Sequence, residues 1–331
     1  MNISRQHTIL VTGAGGAAIP ALIESLRKNG YRVLAADMDP MAVGLYYADR
    51  GYVIPAGTSP DFIPALRDIC RKESVTAIVP LVDEELVSAL ELERDGLIVL
   101  LPRQEFVALC LDKYVLMQRL KESGITIPET RLASEGSDGM SFPLIVKPRR
   151  GRGSRGLKIV GSDQALRSHI ESCPYSPDEL LLQEYIDGPE YTISAVVWRD
   201  GEVQAVVPKE IISKRGITRM AVTRRNPAIE SLCFSVQESL KADGPFNVQL
   251  RYDSKGRGPL IFEINPRFST SISLTMAAGI DELGGLLSQA IFGRKSFMFG
   301  AWREGIVMIR KSLDEFMDEK DFNNLRRKIA D

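Results

Sequence analysis

Phe246-Asn247-Val248-Gln249-Leu250-Arg251-Tyr252, a polar turn from Asp253 to Gly258, and Leu260-Ile261-Phe262-Glu263-Ile264-Asn265-Pro266-Arg267 are the segment on which the fold of this chain turns. Two β-rich runs joined by such a turn predict an antiparallel hairpin. Side chains alternate along a strand, so Val248, Leu250 and Tyr252 share one face and Asn247, Gln249 and Arg251 the other. Pairing Val248 with Ile264, Leu250 with Phe262 and Tyr252 with Leu260 puts every apolar residue on one side, and a slip of one residue would undo this. The same register sets Gln249 opposite Glu263 and Asn247 opposite Asn265. Four oxygen-bearing side chains on one patch suit a hard cation such as Mg²⁺ held jointly with phosphate oxygens, with Arg251 and Arg267 supplying positive charge nearby. The alternative is an ordinary amphipathic hairpin with a wet face. Asparagine is a poor strand residue, and two of them at matched positions argue for a use.

Upstream, Pro143-Leu144-Ile145-Val146-Lys147-Pro148 is an apolar strand ending in a lysine, followed at once by Arg149-Arg150-Gly151-Arg152-Gly153-Ser154-Arg155-Gly156. Three glycines let the backbone turn its amides towards an anion, and four arginines add charge. The lysine precedes the glycines, so this is not a Walker loop; it reads as a flap over nucleotide phosphates. Next, Leu180-Leu181-Leu182-Gln183-Glu184-Tyr185-Ile186 leads into Asp187-Gly188-Pro189-Glu190. The strand end leaves backbone groups free for an adenine edge, and Glu190 can accept from ribose hydroxyls, although a plain strand and turn is the other reading. The basic segment from Lys209 to Arg225, with Lys214, Arg215, Arg219 and Arg224, faces either a carboxylate or phosphate, or solvent.

From Thr8 to about Leu101, short runs (Ile9-Leu10-Val11, Val33-Leu34-Ala35, Ala77-Ile78-Val79, Ile98-Val99-Leu100) alternate with helical patterns over Pro20 to Lys28 and Phe62 to Lys72. That alternation predicts a parallel sheet with crossover helices. Gly13-Ala14-Gly15-Gly16-Ala17-Ala18, with Asp37 ending the next strand, meets the dinucleotide fingerprint, yet the same glycines serve any tight strand-to-helix turn. Asp37, Asp39, Asp83 and Glu84 fall at strand ends, bordering either a substrate crevice or solvent. A helix is expected over Phe106 to Ser123, the first boundary near Pro102, and an antiparallel α+β pattern after Pro143 with a turn at Asp200-Gly201. Phe316, Met317, Phe322, Leu325 and Ile329 are spaced for one packed amphipathic helix over 314–331.

The whole-chain numbers exclude several classes. At 331 residues there is room for about two domains. Basic and acidic residues nearly cancel, 42 against 43, which offers no field for nucleic acid or an anionic membrane. Cys70, Cys110, Cys173 and Cys233 are scattered without a CxxC pair, against a zinc site or disulfide framework and in keeping with a reducing cytoplasm. No signal-peptide core or membrane-length apolar run is present, and with His7 and His169 as the only histidines, histidine triads are hard to build. Catalysis must rest on carboxylates, lysines, arginines and backbone amides.

These pieces, in this order, resemble the ATP-grasp superfamily, most closely the large chain of carbamoyl-phosphate synthase and single-module relatives such as the pyrrolysine-pathway ligase. The resemblance runs from Val11-Thr12-Gly13 to about Gly293 and is most specific in Asn247-Val248-Gln249 and Glu263-Ile264-Asn265-Pro266-Arg267. It implies an α/β and α+β chain: a Rossmann-like pre-ATP-grasp domain over 1–104, a small lobe with the glycine-rich flap over 105–186, and a large lobe with the metal hairpin and C-terminal helix over 187–331. It implies that Gln249, Glu263 and Asn265 hold Mg²⁺, with Mn²⁺ as a substitute, and that Arg267 steadies the transferring phosphoryl group. Lys113 (in Leu111-Asp112-Lys113) and Lys147 would contact ATP phosphates together with Arg152, Gly153, Ser154 and Gly156. Glu184, Tyr185 and Ile186 would lie at the adenine and Glu190 at the ribose, with Arg267, Asn265 and Lys147 the catalytic group. Arg219, Arg267, Ser269, Asp83 and Glu84 are the substrate-side candidates. Two departures stand out: this chain has one such module where the synthase has two, and Phe268-Ser269-Thr270-Ser271 lacks the synthase's second arginine, which counts against bicarbonate.

The activity implied is an ATP- and Mg-dependent carboxylate–amine ligase acting through an acyl phosphate, on an amino acid or small carboxylate. A carbamoyl-phosphate-synthase-like enzyme phosphorylating bicarbonate or carbamate is the nearest alternative; an NAD-binding oxidoreductase and a non-catalytic nucleotide sensor are rivals of another class. The partners expected are small-molecule carboxylate and amine substrates, with no nucleic acid, no membrane, and a homodimer formed through the first domain.

Overall fold

Residues 7–295, 301–311 and 314–330 are described by the computed structural model. Among them the expected apolar runs become β1 (Thr8–Thr12), β2 (Arg32–Asp37), β4 (Val75–Val79) and β5 (Ile98–Val99), joined by β3 (Arg50–Val53). Every pair in this sheet is parallel. Both faces are covered, which is why the strands read as unbroken apolar runs. Ile9, Val11, Val33 and Ala35 pack with Ile19, Leu22, Ile23 and Leu26 of the helix Ile19–Lys28. Leu10, Leu34 and Ile78 pack with Phe62, Ile63, Leu66 and Ile69 of the helix Phe62–Glu73.

The antiparallel part forms two sheets. The smaller consists of β6 (Thr130–Leu132), β7 (Leu144–Pro148), β8 (Lys158–Val160) and β9 (Leu180–Glu184), in the order β6-β9-β7-β8. The larger contains β10 (Glu190–Val197), β11 (Val203–Arg215), β12 (Ile217–Thr223), β13 (Phe246–Asp253), β14 (Gly258–Asn265) and β15 (Val307–Ile309), in the order β14-β13-β10-β11-β12-β15. One core joins the first sheet to the larger one: Val196, Trp198 and Val207 lie in the same cluster as Ile9 and Val11, with Leu283 and Leu286 between them. That shared core holds the parallel sheet against the larger antiparallel one.

Two expectations about helices are corrected. The predicted helix over Phe106 to Ser123 is two, Gln104–Leu111 and Lys113–Glu122. Asp112 breaks it at φ −109°, ψ 97°, its side chain accepting from Val115 N as a cap. Its carboxylate also takes Arg149 Nε at 2.8 Å and Arg150 Nη2 at 3.0 Å. Burial alone would raise this carboxyl, but the bonds from Arg149 and Val115 outweigh it and hold it below the usual range. The second correction is at the C-terminus. In place of one packed helix there is a short helix, Glu319–Arg326, then β16 (Ile329–Ala330), which pairs with β3 and so belongs to the first sheet. Phe322 stacks on Tyr46 at 5.8 Å, but Phe316 is 90% exposed. Eight helical residues cannot present all five apolar positions on one stripe. Asp331 lies outside the described residues.

Candidate active site

The hairpin β13–β14 forms as expected at its inner end: Asn247 opposes Asn265, Val248 opposes Ile264 and Gln249 opposes Glu263. Beyond Gln249 the register shifts, so that Leu250 faces Ile261, Arg251 faces Leu260 and Tyr252 faces Pro259. The predicted pairs Leu250–Phe262 and Tyr252–Leu260 are therefore corrected. A bulge explains it, because one extra residue lets neighbouring side chains share a face. Ile261 is fully buried in the apolar layer, while Phe262 joins Glu263 in lining the cavity.

That cavity, of about 280 Å³, lies between the two antiparallel sheets and brings together Lys113, Lys147, Arg152, Gly153, Ser154, Glu190, Gln249, Glu263, Asn265, Arg267 and Ser269. The Glu263 side chain has no hydrogen bond or ion pair to any described residue, although the residue is half-buried. Asn247 is 2% exposed and donates to Arg267 O at 2.9 Å, pinning the turn after β14. Asn265 donates its amide to Asn247 Oδ1 at 3.3 Å, which leaves its own Oδ1 as the acceptor facing the cavity. Gln249 Oε1 lies 3.4 Å from Lys214 Nζ. One unpaired carboxylate flanked by two amide oxygens fits a hard divalent cation that completes its shell elsewhere. Among the described residues no group of three or more His, Cys, Asp or Glu is placed to hold a metal.

Positive charge surrounds this patch. Lys147, 5% exposed at the end of β7, donates to Gln183 Oε1 at 2.9 Å and to Phe262 O at 3.1 Å. Burial pulls its pKa down to about 8 against the opposing pull of Glu263, and Lys113 and Lys214 lower it further. Lys113 starts its helix through the break at Asp112 and donates to Gly151 O at 2.5 Å. In the glycine-rich loop Gly151, Gly153 and Gly156 all have positive φ, and so does Ser154 at 58°, so the loop turns its amides along one side. Gly156 does not line the cavity; its missing Cβ leaves room for the Pro148 ring, 2.8 Å from where that atom would lie. Three of the loop's four arginines are paired: Arg149 and Arg150 with Asp112, and Arg152 with Glu84 at 2.7 Å.

Several predicted residues are placed otherwise. The Glu184 carboxylate is drawn away to Arg257, at 2.7 Å, its N–H donates to Glu129 O at 2.8 Å, and the residue does not line the cavity. Tyr185 stacks under Arg251 at 5.6 Å, and Ile186 is buried; neither side chain lines the cavity. Glu190 does line it, bound to Lys214 at 2.7 Å and Arg251 at 3.3 Å. Arg219 is exposed and lines neither cavity, because alternation along β12 turns Thr218 inward instead. Asp83 and Glu84 meet the site through its arginines: Asp83 Oδ1 accepts from Arg267 Nε at 2.5 Å, and Glu84 holds Arg152. Asp37 braces the N-terminal glycine turn, accepting from Gly15 N at 2.8 Å, and also accepts from Asp39 N at 2.9 Å. The sequence reading passed over Phe262, Thr218, Thr270, Glu85 and Arg310. Phe262 was hidden by the bulge, and the others carry no local pattern.

Family profiles match three stretches: "ATP-grasp in the biosynthetic pathway with Ter operon" over 176–308, "PylC-like, N-terminal domain" over 9–96 and "D-ala D-ala ligase C-terminus" over 109–241. A carbamoyl-phosphate synthase of Methanobrevibacter smithii is 23% identical over 289 residues, covering 80% of this chain and 76% of that protein. The carbamoyl phosphate synthase large chain of Pseudothermotoga lettingae is 26% identical over 325 residues, 88% of this chain, and this chain spans 29% of its length. The fold is similar to that of the L-amino acid ligase from Bacillus licheniformis, at a TM-score of 0.71 and 19% identity, covering 91% of this chain and 78% of that one. Among the described residues no helix is long and apolar enough to cross a membrane.

Proposed function

We propose, from the premise that this chain is an ATP-grasp enzyme of the ligase type, that it joins a small carboxylate to an amine through an acyl phosphate. The reading is carried by one observation: Glu263 is a half-buried residue with an unpaired carboxylate, set across the hairpin from Gln249 in a cavity otherwise rich in cations. Lys147 and Lys214 border the same cavity, yet each hydrogen-bonds elsewhere, Lys147 to Gln183 and Phe262 O and Lys214 to Glu190. Gln249, Glu263 and Asn265 would hold Mg²⁺, and Mn²⁺ suits the same oxygen set. Bound there with the nucleotide, the ion supplies charge neutralisation for the outer phosphates.

Lys113, Lys147 and the Arg152-Gly153-Ser154 amides take the phosphates of ATP; Phe262 and the backbone at Tyr185 and Ile186 take the base, and Glu190 takes the ribose. Arg267 sits where charge builds on the transferring group. In the first step a carboxylate oxygen attacks the γ-phosphorus and the bond to the bridging oxygen breaks, releasing ADP. In the second the amine nitrogen attacks the acyl carbon, phosphate leaves with the C–O bonding pair, and the amine gives up its extra proton to solvent. These residues bind, orient and neutralise, which is most of what phosphoryl transfer requires of a protein.

Hydroxylamine traps acyl phosphates as hydroxamates, so the amine need not be known. Mg-ATP and hydroxylamine with pools of small carboxylates and amino acids should give hydroxamate and ADP in equal amounts with at least one pool. Calorimetry should show ADP binding more tightly with Mg²⁺ than without, and Glu263→Gln should remove roughly 10- to 100-fold of that metal-dependent gain. ADP affinity indifferent to Mg²⁺ in the unaltered protein would refute the reading. Bicarbonate is the second reading, favoured by the two carbamoyl-phosphate synthase relatives. Its signature is ADP release stimulated by bicarbonate with no hydroxamate from any organic carboxylate.

A further inference from the structure

A second cavity, of about 440 Å³, opens between the N-terminal glycine turn and the far side of Arg267. It shares Arg152, Ile217, Arg267, Ser269 and Thr270 with the first, so the two meet at those residues. Its size is that of a small-molecule site. It is also braced from behind. Arg310 donates to Ala17 O at 2.7 Å, Thr270 O at 2.7 Å and Thr218 O at 3.1 Å, tying together a turn of the first domain and two segments of the large lobe.

The cavity is largely apolar, with Ile54, Phe62, Val82 and Phe268 on its walls, but one wall carries Glu85. This side chain is 3% exposed. Its Oε1 accepts three bonds, from Thr12 Oγ1, from Leu81 N at 3.0 Å and from Val82 N at 3.1 Å. Oε2 has no partner among the described residues and is not sealed off as a buried unsatisfied atom, so it gives onto the cavity. A buried carboxylate with one oxygen fully bonded and the other open is a preorganised acceptor for a cation. Arg152 and Arg267 line both cavities and so mark where the two join.

We propose that this cavity receives the carboxylate substrate as an amino acid, its carboxylate at the Arg152–Arg267 junction facing the first cavity and its ammonium group against Glu85 Oε2. The inference rests on the ligase reading and adds to it the class of acid and the residue that selects it. Electrostatics agree with the geometry. Burial, with a smaller push from the nearby Asp37, lifts the Glu85 pKa to about 7 against the three bonds that lower it. The other charged groups lining this space are Asp37, which accepts from Gly15 N and Asp39 N, and Arg152 and Arg267, each held by a carboxylate of the same turn, Glu84 and Asp83. An ammonium ion at Oε2 favours the ionised form, so occupancy should draw the proton off Glu85. Affinity for the amino acid should therefore be full above pH 7 and fall as pH drops below it.

The test uses the hydroxamate assay with amino acids and, for each, the acid of the same skeleton lacking the amino group. An amino acid should exceed its deaminated counterpart by roughly 10- to 100-fold in kcat/KM, the range for loss of a charged hydrogen bond. Glu85→Gln keeps an oxygen for Thr12 and the two backbone amides and changes only the atom that faces the cavity. It should raise KM for the amino acid by the same factor, leave kcat within about threefold, and abolish the fall in kcat/KM below pH 7. Equal ADP affinity and an unchanged unfolding midpoint in the variant show that it has folded. Equal use of both acids by the unaltered protein, or a variant with unchanged KM and pH profile, overturns the proposal and leaves acyl-phosphate chemistry standing. Absence of hydroxamate with every acid removes the ligase reading itself.

Discussion

Arg267→Ala distinguishes a charge that acts on the reaction from one that only holds two domains together. The guanidinium is bound on one side, by Nε to Asp83 Oδ1 at 2.5 Å and by Nη1 to Phe268 O at 3.2 Å, while Nη2 has no partner among the described residues. With 12% of the side chain exposed, it is fixed in place before any ligand arrives. Removing one such preorganised donor costs about 10²- to 10³-fold in kcat, or roughly 2.7–4 kcal/mol. The lost bond to Asp83 is worth about 1.5–3 kcal/mol, and that part should appear in stability rather than in rate. Asp83→Asn is the control, since it removes the ion pair and keeps the arginine. It should share the loss of stability and retain kcat within about tenfold. The assay is hydroxamate formation at saturating Mg-ATP for both single variants and the double variant, with urea unfolding alongside. A fall in kcat of less than about threefold for Arg267→Ala, or an equal fall for Asp83→Asn, takes Arg267 out of the chemistry.

Two further outcomes follow from buried lysines. Lys147 has its pKa lowered by burial to about 8, and phosphates in the cavity would raise it again, so above pH 8 nucleotide binding should take up a proton. ADP affinity should weaken as pH rises through that value, and calorimetry in two buffers should show the uptake lost in Lys147→Met; an unaltered protein that binds ADP without proton uptake at pH 9 contradicts this. Lys209, fully buried, donates to Ser194 Oγ at 2.8 Å and Thr275 Oγ1 at 3.0 Å, and Ser194 in turn donates to the buried Glu282 at 2.9 Å. Lys209→Ala strands that acid and should destabilise the protein by about 3–5 kcal/mol in urea unfolding, whereas a change under about 1 kcal/mol would show that the network carries no net charge pair.

Most of the hairpin could be read in advance because its information is local. Alternation puts Gln249 and Glu263 on one face whatever else the chain does, and the two asparagines at matched positions mark the same face. Lys147 was legible for the same reason, as the polar end of an apolar strand. The parallel sheet was legible because strands buried on both faces must be apolar throughout. Misreadings arose where a distant partner overrides the local pattern. Asp112 breaks a helix of good periodicity because Arg149 and Arg150, some forty residues on, hold its carboxylate. The four arginines of the glycine-rich loop read as free positive charge, yet three of them are ion-paired to acids from elsewhere, two of those to the single carboxylate of Asp112.

Spacing, alternation and composition by themselves therefore determined the strands of the parallel sheet, the shared face of the amide–acid pair and the lysine beside it, since each depends on residues within one or two strands. Tertiary structure alone decided that Phe262 turns into the cavity, that Asp83 and Glu84 clasp Arg267 and Arg152, and that Glu85 waits on the wall of a second chamber. The physical reason is that a bulge, a cross-domain ion pair and the free oxygen of a buried carboxylate are set by which surfaces meet when the core of the first domain closes on the larger sheet. That meeting joins residues more than 180 positions apart in the case of Asp83 and Arg267, and leaves no period in the chain from which to read it.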